Sequence, residues 1–181
     1  MGTEIEKKYR MTPETQRLLT ERLNEVGAVR QGEEEFEENT LYAGNGLDPR
    51  TRVLRLRRTD SRAVFTYKER SSPSASAIKH QREDETEIKD PDALATILVA
   101  LGYTPALVYE KRRTTWLVAG VELVVDVLPF GLFMEIEGKE DEILKAEQLL
   151  GLGATEAEHA SYPELTRRHG VKKGEVIEAR F

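Results

Sequence analysis

The residues best suited to chemistry stand at the start of the chain. Read as a strand, Glu4-Ile5-Glu6-Lys7-Lys8 puts Glu4, Glu6 and Lys8 on one face and Ile5, Lys7 and Tyr9 on the other. Two carboxylates and an ammonium in a row make a poor core face, and they suit a wet, charged cavity. The arrangement recurs. Arg55 and Arg57 alternate with Leu54 and Leu56, and Lys111 and Arg113 share one face of a strand over 107–118. Asp126 alternates with Val125 and Val127, and Glu135 and Glu137 alternate with Met134 and Ile136. Any one of these strands also reads as a solvated sheet face. As a set they sort by sign, acids at Glu4/Glu6 and Glu135/Glu137, bases at Arg55/Arg57 and Lys111/Arg113, although like charges at i and i+2 repel. Such sorting points to a ligand that carries both a cation and a polyanion. Carboxylates on neighbouring strands supply oxygen ligands for Mg²⁺ or Mn²⁺. Rows of Arg and Lys clamp a chain of phosphates. Together they are the equipment for attack at phosphorus.

The elements that must position these residues follow from the intervening sequence. Thr12-Pro13-Glu14 starts a helix whose apolar stripe is Leu18, Leu19, Leu23 and Val26, and Gly27 ends it. The acidic run from Gly32 to Glu38 leads into a second strand at 39–42. The segments 51–58 and 63–69, joined by Thr59-Asp60-Ser61, read as a hairpin, with Lys68 a lone charge in its second arm. The serine- and alanine-rich segment 71–77 reads as a mobile loop. A long charged strand over 78–88 has an uncertain phase, with Glu83, Glu85 and Glu87 sharing a face. Asp90-Pro91 caps a second helix closed by Gly102. Strands over 107–118, 121–128 and 132–137 are joined by turns at Gly120 and Pro129–Gly131. Helices over 141–150 and 161–168 follow, and 171–181 is a tail. Eight strands, mostly in hairpin order, predict an α+β fold built on an antiparallel sheet, and eight antiparallel strands suffice to close a β-barrel.

Composition narrows the chemistry. With 181 residues, 39% hydrophobic and a formal net charge of −6, the chain reads as one soluble, globular domain without a general affinity for nucleic acid. No cysteine is present, which removes thiolate metal sites and cysteine nucleophiles, and three histidines make no histidine-rich site. Any metal would be bound by oxygen. There is no signal peptide and no apolar run long enough to span a membrane, so the expected location is cytoplasmic. No P-loop motif occurs. Trp116, Tyr9, Tyr42 and Tyr109 read as packing rather than a base-stacking platform. His80, His159 and His169 lack any partner pattern.

The ordered series of motifs resembles the CYTH superfamily, the triphosphate tunnel metalloenzymes, which includes class IV adenylate cyclases and thiamine triphosphatases. The series is Glu4-Ile5-Glu6-Lys7-Lys8, Leu54-Arg55-Leu56-Arg57, Thr66-Tyr67-Lys68, Arg82-Glu83-Asp84-Glu85, Glu110-Lys111-Arg112-Arg113, Asp126, Gly131-Leu132-Phe133-Met134-Glu135-Ile136-Glu137-Gly138 and Ser161-Tyr162. It covers nearly the whole chain and looks most like the bacterial class IV adenylate cyclase-like branch. The resemblance implies a single tunnel-forming CYTH domain over 1–170, a closed eight-stranded antiparallel barrel with helices outside. It also implies Glu4, Glu6, Asp126, Glu135 and Glu137 as metal ligands, and Lys8, Arg55, Arg57, Lys68, Lys111 and Arg113 as triphosphate ligands. Glu83 or Glu85 would face the tunnel and orient water or metal, joining Glu4, Glu6 and Lys8 as the catalytic set. Two positions depart from the pattern and bear on the tunnel mouth or its closing helix. Ala43-Gly44 follows Tyr42 where many relatives have an aspartate, and Ala160 stands where a basic residue often precedes Ser-Tyr. Three functions stay open: cyclisation of ATP to cyclic AMP and pyrophosphate, hydrolysis of tripolyphosphate or thiamine triphosphate, and non-catalytic binding of nucleotide or polyphosphate. A homodimer is also left open.

Overall fold

The computed structural model describes residues 2–70, 78–153 and 155–181, so the loop expected at 71–77 lies outside the described residues. Fourteen elements follow in order: β1 (Gly2–Met11), α1 (Pro13–Glu25), β2 (Val29–Gly44), β3 (Arg52–Arg58), β4 (Ala63–Arg70), β5 (Lys79–Glu87), α2 (Pro91–Ala100), β6 (Tyr103–Val118), β7 (Val121–Leu128), β8 (Gly131–Glu137), α3 (Glu140–Leu150), α4 (Tyr162–His169), β9 (Val171–Lys173) and β10 (Val176–Ala179). The pairing order is β2-β3-β4-β5-β1-β8-β7-β6-β10-β9, and β2 also pairs with β6, so the first eight strands form a ring of pairings. Every pairing within that ring is antiparallel.

The expected eight-stranded antiparallel sheet is corrected in two respects. Among the described residues the sheet has ten strands, and it is mixed, because β10 runs parallel to β6. The physical reason is connectivity. A hairpin returns antiparallel, whereas β10 is reached from the ring only after α3, α4 and β9, a crossover long enough to set a parallel strand. The expected tail at 171–181 is therefore part of the sheet.

Period-2 alternation decides what each strand shows to either side. Outward residues Tyr9, Val125, Met134 and Ile136 pack with Leu19 and Leu23 of α1 and with Ile143, Ala146 and Leu150 of α3. Thr12 caps α1 by accepting from the Thr15 backbone N–H, which fixes where the helix leaves β1. Leu56 and Tyr42 pack beneath Leu98 of α2. A third cluster sits at the end of the ring reached by α4 and joins Tyr109, Phe133, Tyr162, Leu165 and Ala179. Gly138 follows Glu137 where the backbone runs close to β7, and a Cβ there would stand 2.8 Å from Val121 Cγ1. Among the described residues no helix is long and apolar enough to cross a membrane.

Candidate active site

The inward residues surround a cavity of about 880 Å³. Its wall includes Glu4, Glu6 and Lys8 of β1, Glu135 and Glu137 of β8, Arg55 and Arg57 of β3, Lys68 of β4, and Lys111 and Arg113 of β6. Cross-strand register explains the convergence: Glu6 stands opposite Glu137 and Lys8 opposite Glu135 in the β1–β8 pair. In the pairing order β1 and β8 lie across the ring from β2 and β3. The carboxylate pairs therefore lie across the cavity from Arg55 and Arg57, whereas β6 is two strands from β8 and its Arg113 reaches Glu135 at 2.9 Å. Glu83, Glu85 and Asp126, predicted for the site, bond side chains of the cavity wall: Glu83 with Lys68, Glu85 with Arg55, and Asp126 with Lys111 and Arg113.

On the acidic side, each carboxylate but one has turned to a lysine or arginine. Glu4 meets Lys68 Nζ at 2.5 Å, and Glu83 meets the same ammonium at 2.8 Å. Glu6 is 3.5 Å from Lys79 Nζ. Glu135 is 3.1 Å from Lys8 Nζ and 2.9 Å from Arg113 Nη2. Burial opposes the charge on Lys8, but Glu135 and Glu6 overcome it and hold its pKa above the ordinary value. Glu137 has no counter-ion among the described residues. Desolvation by the surrounding walls, with Glu4 and Glu122 adding repulsion, pushes its pKa up to about 7, although the side chain still touches water. Burial and a hydrogen bond with Glu4 push Glu83 up to about 8.

On the cationic side the charges are neutralised from within. Glu37 of β2 is fully buried, 3.3 Å from both Arg57 Nε and Lys111 Nζ and 3.9 Å from Arg113 Nε. Burial alone would raise its pKa, but Lys111, Arg57 and Arg113 more than offset that and hold it at about 2. Asp126, also fully buried, accepts from Arg113 at 2.8 and 2.6 Å, from Tyr162 Oη at 2.8 Å and from Lys111 at 3.4 Å. Its pKa lies well below the carboxylate range, because those cations outweigh burial. Burial and neighbouring Arg113 push Lys111 down to about 8. Arg55 donates to Thr66 at 3.3 Å and to Glu85 at 3.4 Å, and lies 3.8 Å from Glu83. Glu85, held at about 2 against burial by hydrogen bonds from Glu83 and Thr66 and by Arg55, is thus the charged partner of Arg55, while Glu83, at about 8, shares a proton-bearing contact with Glu4 and Glu85.

Sequence reasoning missed Glu37 and gave Tyr162 no role beyond its motif. Glu37 belongs to the acidic run expected to precede the second strand. β2 instead begins at Val29, because its acids meet bases across the pair: Glu35 opposite Arg113 and Glu37 opposite Lys111. The available signal was alternation, since Glu35, Glu37, Asn39 and Leu41 share one face. The phase of β5 is also fixed by its partners, with Lys79 opposite Glu6, Gln81 opposite Glu4 and Glu83 opposite Lys68. Tyr9, Trp116 and Tyr42 pack as expected. Tyr109 is buried yet lines the cavity, as do His80 and His159.

The donor set suits a divalent cation. It is oxygen only, and Glu137, whose pKa burial and then the repulsion of Glu4 and Glu122 push up to about 7, has no ion pair among the described residues, whereas against burial Lys68 holds Glu4 below its ordinary value. Glu4, Glu6 and Glu137 would hold such an ion, with Glu135 adjoining. In the present arrangement Glu4 and Glu6 are turned to lysines and Glu135 to Lys8 and Arg113, and among the described residues no three acidic or histidine side chains converge as a ready cage. Asp126 is enclosed by Arg113, Lys111 and Tyr162.

The CYTH domain pattern matches residues 2–162, and the chain belongs to the CYTH family, whose members act on triphosphates and use divalent metals. No curated protein matches the chain in sequence. Among solved structures it is similar to a Pyrococcus horikoshii protein at 24% identity and a TM-score of 0.77, with 90% of this chain and 98% of that one covered. A putative adenylate cyclase from Vibrio parahaemolyticus aligns at 21% identity and a TM-score of 0.69, covering 90% and 96%. HpAC1 from Hippeastrum, a putative adenylyl cyclase described as having a dominant triphosphatase activity, aligns at 21% and 0.71, covering 93% and 97%. These likenesses are of fold.

Proposed function

We propose that the ring encloses a tunnel and that the protein is a metal-dependent enzyme acting on a linear triphosphate, with hydrolysis as the reaction the geometry supports best. One observation carries this reading. A single cavity is lined by Glu4, Glu6, Glu135 and Glu137 together with Arg55, Arg57, Lys111 and Arg113. The cations bind and orient the phosphate chain. Lys8 and Lys68, each tied to a carboxylate, sit where the two sets meet. Bound Mg²⁺ or Mn²⁺ would supply charge neutralisation and activation of water. In hydrolysis an oxygen of water bonds to the terminal phosphorus as the bridging P–O bond breaks; the diphosphate end leaves with the bridging oxygen, the transferred phosphorus is released as orthophosphate, and the proton lost by the water passes to the leaving oxygen or to solvent. A non-catalytic binder would need the cations but not the crowded carboxylates.

Cyclisation of ATP is the second reading, and the size of the cavity favours it. At about 880 Å³, with Leu41, Val53, Ile78 and Pro163 on its wall, it has room for an organic group beyond the phosphates. Against it, the aromatic residues of the wall, Tyr109 and Tyr162, are both buried and pack against each other at 6.2 Å. Incubation with tripolyphosphate, ATP and thiamine triphosphate, with Mg²⁺ and then with Mn²⁺, tests both. Orthophosphate release identifies the hydrolase, and cyclic AMP with pyrophosphate identifies the cyclase. Binding without product leaves the non-catalytic reading.

A further inference from the structure

The two most buried lysines of the cavity share a neighbour that is not an acid. Lys8 Nζ stands 3.8 Å from the centre of the Tyr162 ring, and Lys111 Nζ stands 5.6 Å from it. Tyr162 enters from the first turn of α4, whose start is fixed by a capping box in which Ser161 and Glu164 bond reciprocally. Its ring is wedged edge-on against Phe133 at 5.5 Å and tilted against Tyr109 at 6.2 Å. Its hydroxyl donates to Asp126 at 2.8 Å. The side chain is therefore held at both ends, by a helix and by β7, while its face meets ammoniums from β1 and β6.

The choice of a ring here has a physical consequence. A carboxylate that held Lys8 and Lys111 together would cancel their charge and occupy their N–H donors. An aromatic face attracts an ammonium through its quadrupole and carries no net charge. Both lysines already bond carboxylates, Lys8 to Glu135 at 3.1 Å and Lys111 to Glu37 at 3.3 Å and Asp126 at 3.4 Å, and the ring adds attraction without adding negative charge. We propose that Tyr162 is a positioning residue for the triphosphate, its ring holding the Lys8 and Lys111 ammoniums apart and aimed into the cavity. The inference rests on the triphosphate reading of that cavity. It assigns the phosphate-facing geometry of two cations to α4, an element outside the ring of strands.

The test uses the whole chain and tripolyphosphate. Binding is measured by calorimetry and turnover by phosphate release, for wild type, Tyr162→Phe and Tyr162→Leu. Tyr162→Phe keeps the ring and should retain wild-type KM within about threefold. Tyr162→Leu loses a desolvated ammonium–ring contact, so its KM and its dissociation constant should rise about tenfold or more. The midpoint of its Mn²⁺ dependence should not move. A residue that served stability alone would lower Tm and leave KM of the folded variant unchanged, and that result overturns the proposal. Equal damage from Phe and Leu also overturns it, because the hydroxyl rather than the ring would then matter. Should Tyr162→Leu fail to fold, wild type still decides. The ε-methylene protons of Lys8, over the ring face, should show a pronounced upfield ring-current shift by NMR, and ordinary shifts overturn the placement. A wild type that neither binds nor cleaves tripolyphosphate, ATP or thiamine triphosphate defeats the reading of the cavity itself. A wild type that does so, with a folded Leu variant indistinguishable from it, defeats only the role of Tyr162.

Discussion

The two walls of the cavity come from the same strand grammar and solve opposite electrostatic problems. The cations on β3 and β6 are neutralised by built-in carboxylates: Glu37 reaches three of them, and Asp126 takes Arg113 through both its oxygens. On β1 and β8, Glu4 and Glu6 each meet one lysine of the wall, Glu135 is held by Lys8 and Arg113, and Glu137 has no ion pair among the described residues. A buried charge is tolerated when it is paired and hydrogen-bonded. The cationic wall has its charge pairing within the protein, through Glu37, Asp126 and Glu85, while Glu37 Oε1, Arg55 Nε and Arg57 Nε find no hydrogen-bond partner among the described residues. The acidic wall has such pairing only in part, and an external cation would complete it. Internal pairing on one side and a charge deficit on the other is the asymmetry expected of a site that takes an anion and a metal together.

Breaking the acidic wall should have the largest effect. Glu6→Gln or Glu137→Gln should reduce kcat by about a thousandfold, several kcal/mol of lost charge stabilisation. The Mn²⁺ midpoint should rise, with only partial rescue by excess metal. An unchanged midpoint in both variants would remove these residues from the metal site. Breaking the cationic wall at its internal anchor should instead be read in stability. Glu37→Gln keeps the shape but leaves Arg57, Lys111 and Arg113 facing one another, and loss of one partner from a buried charge cluster costs about 3 kcal/mol. Urea denaturation would measure that loss, and a change within experimental error would mean that cavity water already screens the cluster.

Metal itself should stabilise the native state by mass action, by about 2.7 kcal/mol at 100 times the dissociation constant. The melting temperature of wild type should rise with Mn²⁺ or Mg²⁺, and that of the Glu4→Gln/Glu6→Gln double variant much less. Equal shifts in the two proteins would place the ion elsewhere. A smaller effect is expected from Arg57→Ala, which removes a charge-assisted phosphate contact of roughly 1.5–3 kcal/mol. That corresponds to a fall of about one to two orders of magnitude in kcat/KM. Arg57 is the cleaner choice than Arg113, which also holds Glu135. The Mn²⁺ midpoint of Arg57→Ala should match wild type, and a midpoint displaced as far as in the glutamate variants would dissolve the distinction between the walls.

Much of this asymmetry was legible in the sequence, and the missing part has a physical explanation. Period-2 alternation placed Glu4, Glu6, Arg55, Arg57, Lys111, Arg113, Glu135 and Glu137 on one face of their strands, because tight turns at Gly120 and Gly131 leave no freedom of phase. The internal counter-ions were not legible. Glu37 sits in a run of acids, and only its pairing with Lys111, far along the chain, separates it from its solvated neighbours Glu33 and Glu34. The bonds of Asp126 to Arg113, Lys111 and Tyr162 were not legible either, because they join residues far apart in the chain. The sheet's parallel edge escaped because Val176–Ala179 is four residues long and shows little alternation.

The smallest effect expected is in pH dependence, and its sign separates the walls. Glu137 has a folded pKa of about 7 and Glu83 of about 8, both above the ordinary carboxylate value of 4.5. A group whose pKa is raised by folding holds its proton more tightly in the native state. Its contribution is complete below the unfolded pKa and is lost as pH climbs through the folded one. In chelator, the melting temperature should therefore fall as pH rises from about 5 to about 8, losing first the Glu137 part and then the Glu83 part. The fall should be modest, because Glu137 touches water and is screened. Glu137→Gln should flatten the lower half of that slope and Glu83→Gln the upper half. Saturating Mn²⁺ should reverse the trend near neutrality, since the ion competes with the proton for the same oxygens. Glu37, held at about 2, works the other way: its contribution is present above pH 4.5 and is lost only as pH falls towards 2. The acidic wall thus writes its signature on the neutral side of the stability profile and the cationic wall on the far acid side. A chelated protein whose melting temperature rises steadily from pH 5 to 8 would mean that the carboxylates of β1 and β8 are already satisfied, and that no charge deficit waits for a metal.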